Sequence, residues 1–168
     1  MTITHHTDIH PPGKPSGPID HLAYNRRVTD QLLYYWLMKK GKRRFPRESD
    51  IAPADLPEAW KFCFLVQARD VTKEDLYNYT YFGDALRESY ELGILEDGVL
   101  PMISPRASLL YAKHMDVVRT GKPLIESGEG LSYNNIILYR QCFLPLGQEG
   151  GPVDFILGCM NYKIVKNT

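Results

Sequence analysis

Cysteine is scarce in this chain, and its three copies have no metal-ligand spacing. Cys63, Cys142 and Cys159 lie far apart, with no CxxC pair, so neither a zinc ribbon nor a disulfide scaffold is indicated. Each falls within an apolar, strand-like run and reads as a reduced, buried thiol. Charge of one sign is missing too: Lys plus Arg and Asp plus Glu stand at 20 each, so no global field draws nucleic acid or an anionic membrane. No apolar run approaches the roughly 20 residues of a membrane span, and the first residues lack the apolar core of a signal peptide. The expectation is a cytoplasmic protein without nucleic-acid or membrane partners. GxGxxG, P-loop, HExxH and GxSxG patterns are absent, and no carboxylate pair stands out for acid–base work. The chain therefore reads as a non-enzyme.

Apolar residues make up 43% of the 168, enough for a core, and the 11 tyrosines imply half-buried rings with hydroxyls reaching partners. Residues 1–19 are rich in proline, have almost no apolar period and read as a flexible tail. His5, His6 and His10 lie there without the scaffold a metal site needs. Residues 20–44 read as an N-terminal amphipathic helix and a basic linker, and residues 45–166 as the main domain. The helix begins near Asp20 and stops at Gly41. Leu22, Val28, Leu32, Tyr35 and Trp36 share one helical face, which Leu33, Leu37 and Met38 widen. A stripe that wide predicts packing on the chain's own domain and also on a partner, most simply a second copy in a homodimer contact through Val28, Leu32, Tyr35 and Trp36. Lys39, Lys40, Lys42, Arg43, Arg44 and Arg47 form a local basic cluster. It reads either as capping plus a solvated linker or as a patch for an acidic partner.

Phe62 to Ala68 reads as the first strand. Leu76 to Phe82 is the second, with Tyr77, Tyr79 and Tyr81 on one face by alternation. Asp84 caps a helix to Leu92. A second helix starts with Pro105 at its first position and ends before Gly121. Pro123 to Leu131 is a third strand. The runs Asn135 to Leu146 and Val153 to Val165 flank the turn Gly147 to Gly151 and form a closing hairpin. This order predicts an α+β fold: a five-stranded antiparallel sheet with helices between strands 2 and 3, preceded by the N-terminal helix.

That order resembles the PAS sensor family, and in particular stand-alone PAS proteins of alphaproteobacterial type. The similar segments are Tyr34-Tyr35-Trp36, Asp50-Ile51-Ala52-Pro53-Ala54-Asp55-Leu56-Pro57, Tyr77 to Gly83, and the hairpin from Leu144 to Gly158. The resemblance covers roughly residues 30–162. It implies a non-catalytic signalling module that binds a small molecule, a partner protein or both. No output segment follows Lys166, so a separate signalling protein is the expected receiver. The Asn-Cys-Arg motif of flavin-binding light sensors is absent, which argues against a photoactive flavin adduct. His114 lies on the helix that supplies a haem ligand in some members, so the resemblance leaves a haem sensor as an alternative. A ligand-free adaptor is another. The sequence itself names no cofactor.

Parity and helical spacing put Tyr79, Tyr81, Leu110, His114 and Arg140 around one ligand space between the sheet and the second helix. Arg140, inside an apolar strand, needs a carboxylate such as Glu126, an exit to solvent, or an anionic ligand.

Overall fold

The computed structural model describes residues 28–68, 79–91, 108–132 and 135–166. The tail, Asp20, Leu22 and Tyr77 lie outside them. Helix α1 spans Val28–Lys40. Short 3-10 turns at Glu48–Asp50 and Pro53–Asp55 follow, then the one-turn helix α2, Pro57–Trp60. Strands β1 (Cys63–Gln67) and β2 (Tyr79–Phe82) precede helices α3 (Asp84–Glu91) and α4 (Ser108–Thr120). Strands β3 (Leu124–Ser132), β4 (Asn135–Leu146) and β5 (Phe155–Lys166) close the chain. The five strands form one antiparallel sheet in the order β2-β1-β5-β4-β3. The α+β class and the antiparallel five-stranded sheet are therefore as the pattern predicts.

β1 reads Cys-Phe-Leu-Val, without alternation, and all four residues are buried. A strand buried on both faces must have a layer on each side. Cross-strand partners point the same way, so the register sorts the residues into two faces. Phe64, Phe143, Gln141, Glu126 and Gly158 share one face; Cys63, Cys142, Cys159, Leu157 and Arg140 share the other. Phe64 and Phe143 meet His114 of α4, which identifies the first as the α4 face. Arg140 reaches Asp30 of α1, so the second is the α1 face.

α1 buries Val28, Leu32, Tyr35 and Trp36, spaced i, i+4, i+7, i+8. The Trp36 indole N–H donates to Pro145 O at 2.8 Å. The Tyr35 hydroxyl accepts from the Ala52 N–H at 2.8 Å and donates to Asp55 at 3.0 Å. α1 is therefore part of the same core as the sheet.

The basic cluster is largely absorbed by this packing. Lys39 pairs with Asp55 at 3.0 Å and Arg43 with Asp50 at 2.7 Å. The Lys39 bond, then the Tyr35 hydroxyl, holds the Asp55 carboxyl below the usual range. Arg44 donates to Thr120 O at 2.9 Å, capping α4. Gly121 ends that helix at φ +61°, and a Cβ there would meet the Arg44 guanidinium at 2.4 Å. For Lys39, Arg43 and Arg44, capping and local pairing account for the charges.

Candidate functional site

The α4 face carries the chemistry. His114 is fully buried, with its ring 5.2 Å from Phe143 in an edge contact and 6.3 Å from Phe64. Phe64 meets Tyr79 edge-on at 5.8 Å. The Phe64 ring lies flat over Gly158, where a Cβ would fall 2.0 Å from the ring; only glycine leaves it room. Burial pushes the His114 pKa down to about 3, so the imidazole is neutral at physiological pH.

One row away, Glu126 of β3 and Gln141 of β4 are register partners. The Glu126 carboxylate accepts from the Lys113 ammonium and from the Gln141 amide nitrogen. Lys113 precedes His114 on α4, so helix and sheet are joined by this three-residue link. The link also fixes the amide of Gln141. Its nitrogen must face the carboxylate, which can only accept, and its oxygen must face the other way. That oxygen is buried and has no hydrogen-bond partner among the described residues, in a residue only 1% exposed. A buried carbonyl without a donor costs about 1–3 kcal/mol. Gln141 is the residue the sequence reading missed. Its signal was parity: residues 139, 141 and 143 point opposite to residues 138, 140 and 142.

Of the five expected ligand-lining residues, Tyr79 and His114 come together, both against Phe64. Leu110 lies on α4, but its side chain is outside the described residues. Tyr81 and Arg140 are corrections. The β1–β2 register slips between Leu65 and Val66, pairing Leu65 with Tyr81 and Val66 with Tyr79. Thr80 is the extra residue of this bulge, so the two tyrosines no longer share a face. Tyr81 stacks on Trp60 at 5.0 Å and donates to its carbonyl at 3.2 Å. Arg140 lies on the α1 face and bonds Asp30 at 2.9 Å, not Glu126.

The four residues expected at a dimer contact, Val28, Leu32, Tyr35 and Trp36, are buried against the chain's own sheet. They offer no surface to a second copy while α1 is docked. The outer face of α1 instead shows Tyr34, Leu37 and Met38.

A haem at His114 does not fit the residues present. The imidazole is enclosed by the Phe143 and Phe64 rings, and a porphyrin approaching it would displace one of them. Among the described residues, no cluster of three metal-ligating side chains occurs, and no helix is long and apolar enough to cross a membrane. No family model matches the chain, and neither a curated protein nor a solved structure matches it.

Proposed function

We propose that the chain is a non-catalytic sensing module of PAS type that binds a small molecule between α4 and the sheet. The observation that carries this reading is the carbonyl oxygen of Gln141. It is buried, oriented by Glu126, and without a donor among the described residues. A ligand N–H or O–H would complete it, and the rings of Phe64, Phe143 and Tyr79 would supply apolar contact area beside it. The strand order and the helices between β2 and β3 support the PAS resemblance, without themselves naming a ligand. A cytoplasmic location and a separate partner protein as receiver belong to the same proposal.

Native mass spectrometry of the full chain tests it. The expected result is a bound mass that is lost on denaturation, and lost or sharply reduced in Gln141→Met. A wild-type protein that carries no added mass, both as purified and after incubation with a cell-derived metabolite extract, would overturn the proposal. So would a ligand retained equally by Gln141→Met.

A further inference from the structure

The α1 face holds a feature that ligand binding does not use. All three cysteines stand in one row across adjacent strands: Cys63 of β1 pairs with Cys159 of β5, which pairs with Cys142 of β4. The Sγ atoms of Cys142 and Cys159 are 3.4 Å apart. We infer that Cys142 and Cys159 are a redox modification site, converted by a hydroperoxide into a cross-strand disulfide beneath α1, with Cys63 as a third thiol able to exchange into it.

The geometry suits the bond. Directly opposed residues of an antiparallel pair have Cα atoms about 4.5–5.5 Å apart, inside the range of about 4.4–6.8 Å that a disulfide spans. The sulfurs already touch and need to close to about 2.0 Å, which side-chain rotation can provide. Cys159 is central, so it can bond to either neighbour. Cys63 is held in place by donating its S–H to Ala59 O at 3.3 Å.

The step balances with one hydroperoxide. One thiolate attacks the peroxide oxygen, giving a sulfenic acid and releasing water (an alcohol where the hydroperoxide is organic). The second thiolate displaces hydroxide from that sulfur, and a second water leaves with its proton. Two thiols lose two electrons and two hydrogens; the peroxide O–O bond takes up both electrons.

Access sets the rate. All three thiols are fully buried. The bond between them and the burial hold Cys142 well above the usual thiol range, and burial does the same for Cys159. The closed form is therefore protonated and inert. Two contacts bracket Cys142 along β4: Arg140 with Asp30, and Pro145 O with the Trp36 indole. The stretch of α1 between Asp30 and Trp36 thus lies over the thiol row. Oxidation has to run through a state in which α1 has lifted, so the disulfide records that opening.

The test is peptide mapping of the full reduced chain after hydrogen peroxide, with free thiols alkylated on unfolding. Met38, 64% exposed, serves as the internal control that oxidant acted. The expected product is a Cys142–Cys159 linkage, about 2 Da lighter than the two thiols. In Cys142→Ala the linkage should move to Cys63–Cys159. Trp36→Phe keeps an aromatic ring but loses the indole donor and part of its buried volume, and should speed linkage by at least about fivefold through a more populated open state. Three alkylatable thiols persisting after Met38 is fully converted to its sulfoxide would overturn the inference. Sulfinic acid at these cysteines without a linkage would overturn it as well. A linkage absent from Cys142→Ala would overturn the role of Cys63, and a rate unchanged in Trp36→Phe would overturn α1 as the cover.

Discussion

The two faces of the sheet are both buried near its middle, yet they are built from different chemistry. The α1 face is closed by carbon and sulfur: Leu32, Trp36, Leu144, Leu157 and the three thiols, with its charges at the rim as Asp30 with Arg140 and Lys39 with Asp55. The α4 face places a carboxylate, an ammonium, an amide and a neutral imidazole beside aromatic rings. Apolar packing gains free energy in proportion to the area removed from water and asks for no partner. A buried polar group gains only when its last donor or acceptor is met. Among the described residues each face leaves buried polar atoms unmet, Thr29 Oγ1 and Arg140 Nε on the α1 face and the Gln141 carbonyl on the α4 face, but only the Gln141 carbonyl lies in a polar cluster set beside aromatic rings. The proposed ligand would use the α4 face, where the unmet group is a neutral acceptor beside the rings rather than part of an ion pair at the rim.

Substitutions on the two faces should break the comparison if it is wrong. Trp36→Ala removes a fully buried indole and its bond to Pro145 O. It is expected to cost about 3–5 kcal/mol in urea unfolding. Gln141→Met swaps a buried amide for an apolar side chain of similar length. It leaves Glu126 paired with Lys113 and removes the unmet carbonyl, so ligand-free protein should change by no more than about 1 kcal/mol. Equal losses from the two substitutions would mean that the amide is ordinary structure.

Titration separates the faces next. The pKa of His114 is about 3 in the folded chain, below the ordinary value of 6.5. The unfolded chain therefore binds this proton first as pH falls. The contribution is fully present above about pH 6.5 and is lost progressively below it, by about 2 kcal/mol at pH 5. Asp50 and Asp55 are held low and act in the same direction, but only below their ordinary value of 3.8. Unfolding free energies at pH 7 and pH 5 should show this drop in the wild type and largely lose it in His114→Leu. An equal slope in both would show that the imidazole is more hydrated than its burial implies.

Much of this was legible from pattern, and the failures have one cause. Helix stops at Gly41 and Gly121, the long closing hairpin and the order of elements along the chain follow from local chemistry that acts within a few residues. The α4-face cluster does not, because it depends on which parity points inward. Thr80 adds one residue to β2, and that single insertion sends Tyr79 and Tyr81 to opposite faces. Nothing in Tyr-Thr-Tyr announces a bulge. In β4, Tyr139, Arg140, Gln141 and Cys142 alternate without a clear polar side, so the eye goes to the arginine and passes over the amide. The width of the α1 stripe predicts packing on the chain's own domain and on a second copy, and the four residues expected at the second contact are taken up by the first. The sheet's own α1 face needed that cover, because β1 is apolar on both sides.

The smallest expected effect concerns the rim of the α1 face. Arg140 and Asp30 bond at 2.9 Å, with side chains 43% and 51% exposed. A pair so open to water gains little from Coulomb attraction and gives up rotamer freedom to hold one geometry. A double-mutant cycle of Arg140→Ala and Asp30→Ala should return a coupling of about 0.2–1 kcal/mol, shrinking further in molar salt as screening shortens its reach. That value would leave burial of Leu32 and Trp36 as what seats α1, with the ion pair setting only where the helix sits along β4. A coupling of 2 kcal/mol or more that survives salt would invert this ranking. It would make the charges the clasp on α1 and the apolar stripe its passenger, and the two faces would then differ less than their residues suggest.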